Sequence, residues 1–275
     1  MISLAGSSRQ SLITLRDGLD EKLKGLSSAD CTGFSTDLFS VVSALNSSIS
    51  LRRAFTDPSR DAASKTQLAK DLFAKNISAK VLELMSKAAA LRWSSPVDIS
   101  SAIEQLAIEA EATAANSDNS LDRVQDELFA FGEILASHQE LRITLGERLG
   151  SVQGKTELIT SLLASKAAPS TVRLLAHLVN GLAGRGIDNV LEIYVEAVAA
   201  RRNRLIVLVR TRSYLTPAQS EKLAAVMAKQ VGQPVHLNYE IDPSVVGGIS
   251  IRFGDELVDG TISTRLAEAG RALAV

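Results

Sequence analysis

One stretch of this chain has the residue types to hold a phosphate: Gly150-Ser-Val-Gln-Gly154-Lys155-Thr156. A phosphate-binding loop needs four residues between its glycines, then Lys and Ser/Thr, set between a strand and a helix so that backbone amides wrap the anion. Only three residues intervene here, and the segment before them reads as helix or loop. The ordinary reading is a helix start after a bundle loop. Gly181-Leu-Ala-Gly184-Arg-Gly186 fails the dinucleotide fingerprint in the same two respects and reads as a helix end and turn. His138, His177 and His236 are far apart, and none has a Cys or His at metal-ligand spacing. Cys31, the one cysteine, has nothing nearby in sequence to lower its pKa. No Ser-His-acid or Cys-His set can be nominated. The expectation is a chain with no catalytic residues, no cofactor and no metal.

The composition agrees. Hydrophobic residues make up 45% of the 275 but aromatics only 4%, which suits Leu-rich helical bundles better than an aromatic-lined pocket. The formal net charge is −1, so there is no global pull towards nucleic acid or anionic lipid. A single cysteine cannot form an internal disulfide, and a reducing compartment is the simplest reading. Arg9, Arg16, Asp17 and Asp20 interrupt the N-terminal apolar residues, so no signal-peptide core is visible. The most apolar run, Leu205 to Val209, is far shorter than the ~20 residues that span a bilayer.

What remains is helical scaffolding. Leu12, Leu15, Leu19 and Leu23 share one face of a helix over 8–24, and a loop over 25–33 follows. A helix over 34–48 turns Leu38, Val41, Val42 and Leu45 inward, and a short one covers 49–55. Asp57-Pro58 predicts the start of a helix that ends near Phe73. Helices over 78–92 and 97–113 follow, the second opened by Ser95-Pro96. Ala115 to Ser120 is polar and reads as a linker.

The chain then repeats itself. At an offset of 90, residues 38–74 align without gaps on 128–164, with identities that include Phe39 with Phe129, Arg52 with Arg142, Lys65 with Lys155, Thr66 with Thr156 and Leu72 with Leu162. Eleven of the 37 positions are identical, against about two expected by chance at average residue frequencies. Two Leu-rich amphipathic stretches also look alike, but the shared Leu-Arg and Lys-Thr pairs lie partly off the apolar face. An internal duplication of one helical bundle is expected. The second copy lacks a counterpart of helix 8–24, and the helix over 97–113 can stand in by packing against both bundles.

Near the C-terminus the period changes from helix to strand. Leu205 to Val209 is a short β-branched run that reads as a buried strand. Thr216-Pro217-Ala218-Gln219 is a capping box for a helix to about 231, with Leu223, Val226 and Met227 inward. Val235, Leu237 and Tyr239, then Ile249, Ile251 and Phe253, alternate with polar residues and read as two strands joined by a short turn. Gly247-Gly248 between them suggests a bulge or close backbone approach. Gly254-Asp255 is expected to turn the chain into a strand over 256–258, and Asp259-Gly260 into a final helix with Ile262, Leu266, Ala269 and Leu273 on one face. The fold class is mainly α with a small α+β C-terminal module. The division is 1–114 first bundle, 115–204 second bundle, and 205–275 a small mixed sheet with two helices.

This C-terminal stretch resembles the delta subunit family of F-type ATP synthase, counterparts of the oligomycin-sensitivity-conferring protein. The family signature of spaced apolar residues, a small residue, Gly and two further apolar places is met by Leu237, Ile241, Asp242, Val245, Gly247, Gly248, Ile249, Ile251 and Arg252, with Gly254 closing it. Asp259-Gly260 and Arg265-Leu266 also look like the family's ending. The chain is about 90 residues longer than usual members, as the duplication requires, and resembles the actinobacterial form.

The resemblance implies a non-catalytic stator subunit. It would link the catalytic alpha/beta head to the membrane-anchored b subunit, peripheral to the cell membrane on its cytoplasmic side and present in one copy per complex. Its implied partners are the N-terminal region of an alpha subunit and the C-terminal region of b. By family analogy the head contact uses the first and fifth helices of a bundle, which points to Leu12, Leu15, Leu82 and Met85, each of which could equally be core. Leu266, Ala269 and Leu273 are candidates for b-subunit contact or for packing on the sheet. The alternatives are a helical adaptor unrelated to ATP synthase, or an NTPase using Gly154, Lys155 and Thr156.

Overall fold

The computed structural model describes residues 4, 6–147, 151–204, 206–231, 235–243, 245, 247–253 and 256–259. In order they form α1 (Gly6–Leu23), α2 (Ser28–Ser47), α3 (Ile49–Thr56), α4 (Ala62–Phe73), α5 (Ala79–Ala90) and α6 (Pro96–Ser117). Then come α7 (Leu121–Ser137), α8 (Gln139–Gly146), α9 (Val152–Leu163), α10 (Pro169–Asn180) and α11 (Ile187–Arg204). The last part holds β1 (Ile206–Thr211), α12 (Pro217–Val231), β2 (His236–Ile241), β3 (Ile249–Phe253) and β4 (Glu256–Asp259). The chain divides into two compact units, Met1–Ala199 and Ala200–Val275.

Local side-chain chemistry sets the helix ends. Ser27 caps α2 by accepting from the Asp30 amide, so α2 begins six residues before the expected start and absorbs Gly33. Asp57-Pro58 does not open α4. The Asp57 carboxylate accepts from the Ser59 amide and holds a tight turn, and Asp61, accepting from Ser64, is the true cap. Ser95 and Pro96 do open α6. That helix runs on to Ser117, so the first half of the expected linker is helical. The chain reverses at Asn119, which adopts a positive φ of 54°.

The helix bounds recur at an offset of 90. Residues 49–56, 62–73 and 79–90 of α3, α4 and α5 become 139–146, 152–163 and 169–180 of α8, α9 and α10. The same offset carries the start of α1 onto Pro96 of α6, and α6 in turn onto the region of α11. By position, α6 is both the last helix of the first set and the first helix of the second.

Helix α6 is enclosed on all sides. Every residue from Ile99 to Asn116 except Ser101 is buried, and Glu104, Glu109 and Glu111 are each at most 2% exposed. Carboxylates cannot be left unpaired there. Each is met by an arginine from a different element: Arg16 of α1 reaches Glu109 at 2.7 Å, Arg173 of α10 reaches Glu111 at 2.6 Å, and Arg185, between α10 and α11, grips both oxygens of Glu104 at 2.7 and 2.9 Å. Small residues let α2 lie close along α6. The Ser35 hydroxyl donates to the Ala107 carbonyl and Ser28 to that of Ala114. Where α2 meets the second set, Phe39 stacks on His177 of α10, with ring centroids 4.0 Å apart, and lies 6.3 Å from Tyr194 of α11.

The C-terminal unit has its own small core of Val207, Val209 and Met227, with Leu223, Val235, Leu237, Tyr239, Ile249 and Ile251 against it. The strand order is β2-β1-β3-β4. The two alternating strands are therefore not neighbours. β1 lies between them, parallel to β2 and antiparallel to β3. Val207 and Val209 on one face of β1 are fully buried, which suits a central strand, and the α12 crossover supplies the parallel connection. The Thr216–Gln219 capping box forms as expected. Val226, expected inward, is 55% exposed, because Leu223 and Met227 one turn apart define the buried stripe. Gly248 takes φ +83° at the bend into β3, a conformation that costs a side-chain-bearing residue about 1–2 kcal/mol.

Two outcomes follow for the helical unit. Arg173→Ala leaves Glu111 buried without its cation and should cost ~3–5 kcal/mol in urea unfolding, whereas Arg173→Met with Glu111→Leu should recover most of that loss. His177 is held near pKa 4, first by burial and then by the nearby Arg173 charge. It is neutral when folded and takes a proton more readily when unfolded. Its contribution is complete above pH ~6.5 and is lost as pH falls towards 4, by roughly 3 kcal/mol. His177→Phe should flatten the difference in unfolding free energy between pH 7 and pH 4.5.

Candidate functional site

The phosphate-loop residues are committed elsewhere. The Lys155 ammonium is buried and donates to the carbonyls of Leu145 and Glu147. Those carbonyls end α8, where the last turn has no amide partners of its own and the helix dipole favours a cation. The Gly154 amide donates to the Ser151 hydroxyl, which caps α9. Thr156 donates to the Val152 carbonyl and accepts from the Asn180 side chain. Gly150 lies outside the described residues. Among the described residues of this loop, the Gly154 amide and the Lys155 ammonium both have protein partners. Lys65, the equivalent at minus 90, is likewise buried, although no glycine precedes it.

A cavity at the junction of α2, α6, α10 and α11 gathers the side chains that most resemble acid–base machinery. Phe39, Glu104, His177, Asn180 and Tyr194 line it. Arg185 donates to both Glu104 oxygens and holds the carboxylate as one half of an ion pair. Burial, with the Glu104 charge adding to it, raises the Tyr194 phenol well above its ordinary range and keeps it protonated. No serine or cysteine lies beside His177 as a nucleophile: Ser40, Ser43 and Ser47 line the α2 wall, none bonded to the imidazole, and Cys31 is buried a turn or more away along α2. The arrangement joins α2 to α10 and α11 through the ring contacts, and α6 to the turn before α11 through the ion pair. Among the described residues no group of His, Cys, Asp and Glu could hold a metal ion, and no helix is long and apolar enough to cross a membrane.

A binding role puts the emphasis on surfaces. Of the residues expected to contact the head, Leu12, Leu15 and Met85 are enclosed, at 5%, 0% and 0% exposure, where α1 packs on α5 and α6. Leu82 is half-buried at the edge of α5. The same edge exposes a residue the heptad-like reading passed over: Ile13, 44% exposed on the outer stripe of α1. Periodicity selects the strongest apolar face and skips a single apolar residue on the opposite one. A comparison of Ile13 with the buried Ile103, ninety residues on, would have found it. In the C-terminal unit Gly247 and Gly248 shape the entry to β3, and Asp259 pairs with Ser250 at the sheet edge. Gly254, Gly260, Leu266, Ala269 and Leu273 lie outside the described residues. Arg201, near the end of α11, is buried.

Comparison with known proteins gives this architecture its family. The sequence pattern of the family described as ATP synthase delta (OSCP) subunit matches residues 109–273. ATP synthase subunit delta of Streptomyces coelicolor is 39% identical over 274 residues, covering 100% of both chains. The subunit of the same name from Kineococcus radiotolerans is 39% identical over 98% of both chains. That of Thermobifida fusca is 38% identical over 98% of this chain and 100% of its own. A full-length match at this identity carries the helical set preceding residue 109 as well as the part the family pattern spans, and the chain belongs to the ATP synthase delta (OSCP) subunit family.

Proposed function

We propose that this chain ties the catalytic head of an F-type ATP synthase to its membrane-anchored stalk, with the helical part gripping the head and the sheet unit gripping the stalk. As a stator subunit it has no chemistry of its own. It resists co-rotation of the head, so that rotation of the central shaft is spent on ATP synthesis. Family membership across the whole chain carries this reading. The occupied lysine, the clamped glutamate and the desolvated histidine support it, since each potential catalytic group is used to hold helices together.

The finer assignments belong to the same proposal. The helical part is a duplicated bundle, as the offset of 90 in both identities and helix bounds supports. The N-terminal region of an alpha subunit binds beside α1 and α5, near Leu12, Leu15, Leu82 and Met85, with the enclosed members of that set forming the floor. The C-terminal region of b binds the unit from residue 205 onward, with Leu266, Ala269 and Leu273 among its contacts. The chain sits on the cytoplasmic side of the cell membrane through these partners. Docking of amphipathic helices needs apolar stripes and small residues, which the chain has in abundance.

Two experiments test the reading. A chain ending at Arg204 retains the helical core and should bind heads stripped of this subunit while losing b. Retained b binding by that truncation would overturn the assignment of the stalk contact to residues 205–275. The rival NTPase reading requires Mg-ATP to stabilise the protein. Millimolar Mg-ATP should leave Tm unchanged, and Lys155→Ala should lower stability by about 1–3 kcal/mol, the usual cost of unsatisfied buried carbonyls, with or without nucleotide.

A further inference from the structure

The cavity where α2 meets α10 and α11 holds polar atoms that the helix contacts leave unused. Its volume is about 450 Å³, within the range of about 300–1,000 Å³ that small-molecule sites occupy. One wall, on α2, carries the exposed Ser43. The inner wall is aromatic: Phe39 is stacked on His177 at 4.0 Å and lies 6.3 Å from Tyr194.

Two atoms of this lining have no hydrogen-bond partner among the described residues, the Tyr194 hydroxyl and the Asn180 Oδ1. Tyr194 is 0% exposed, so its hydroxyl has no bulk water to turn to. Buried polar atoms are nearly always satisfied, and an exception beside a cavity marks a place for a ligand. The phenol stays protonated and can donate. The Asn180 amide nitrogen already donates to the Ala176 carbonyl and to Thr156, which leaves its oxygen as the free acceptor. The lining offers no free charge. Arg185 holds both oxygens of Glu104, and burial keeps His177 neutral at neutral pH.

The helical set does not need these residues in order to fold. Lys87, Ala90 and Glu104 stand ninety residues before His177, Asn180 and Tyr194. The cavity also exists only where two sets meet, since α2 supplies Phe39 and Ser43 from one and α10 and α11 supply the rest from the other.

We infer that this cavity binds a small, flat, uncharged molecule that accepts a hydrogen bond from the Tyr194 hydroxyl, donates one to the Asn180 oxygen and packs its ring beside Phe39 and His177. An aromatic amide or lactam has this chemistry. A carboxylate has no proton for the Asn180 oxygen and meets the Glu104 charge. A cation must be desolvated with no free counter-charge, and Arg173 stands close to His177.

The test uses the full chain at neutral pH and three probes of one shape: benzamide, benzoate and benzamidine, which are neutral, anionic and cationic. Millimolar benzamide should raise Tm and give a saturable titration by nuclear magnetic resonance, while benzoate and benzamidine should do neither. Tyr194→Phe should weaken benzamide about five-fold and leave circular dichroism unchanged, because the hydroxyl it removes bonds to no other residue. Ser43→Trp, placed on the exposed wall, should fill the cavity and abolish binding. No saturable binding of benzamide by the unaltered chain would overturn the site. Equal binding of all three probes, or undiminished binding by Tyr194→Phe, would overturn its chemistry. Full binding by Ser43→Trp would overturn its location. The stator reading stands under each of these outcomes.

Discussion

Everything in the helical unit depends on how α6 can be buried with three carboxylates on it. A helix polar enough to be an ordinary surface helix has been placed at the centre, and the fold responds by bringing an arginine to each glutamate. Burying ion pairs is not an efficient route to stability, since desolvation offsets much of the attraction. It is an effective route to uniqueness. Each pair joins α6 to a different element, so α1, α10 and the turn before α11 each have one register on α6 in which the charges are satisfied. An apolar stripe alone would tolerate sliding by a turn.

That property suits a stator subunit. Torque on the head reaches this chain as a sideways load, and a bundle that can shift register under load would dissipate it. Close-packed interiors have low compressibility and transmit strain, and directional ion pairs add resistance to sliding. The shared position of α6 has the same consequence. Two bundles joined by a flexible linker would bend between them. Here the last helix of one set is the first helix of the other, and α2 lies along it through serine and alanine contacts. The shared helix joins the two sets without a separate linker between them.

Much of this is legible in the sequence, and the illegible part has a common cause. Periodicity finds the helices because each has a dominant apolar face, and it finds β2 and β3 because alternation survives on half-buried strands. It cannot tell which strands are neighbours: β1 enters between β2 and β3 through a pairing that only the assembled sheet defines. Helix starts go wrong where two capping residues compete, as Asp57 and Asp61 do, and the winner is decided by which amides lie within reach. The ion pairs of α6 are invisible for another reason. Glu104, Glu109 and Glu111 look like solvated charges, and only an offset comparison of the two sets hints that α6 serves both and has no free side. The GxxxGKT-like stretch misleads in the opposite direction. It contains the right residue types, but Lys155 and its equivalent Lys65 are both buried, and only one of them follows a glycine.

The series of helices that recurs at an offset of 90 has two ends. A duplicated bundle whose copies dock head to tail makes one internal contact and leaves two complementary surfaces unmatched, one at each end. Unless blocked, such heterologous surfaces lead to open chains of molecules. The equivalent positions at the outer groove, beside α1 and α5, work against this. Where the internal contact places Phe39 on the imidazole of His177, α5 carries Lys87. Where it places Thr32 beside Arg173, α5 carries Glu83, which Lys22 of α1 already pairs, so a second copy seated in the same way would bring Asp122 against an ion pair that offers it no free cation.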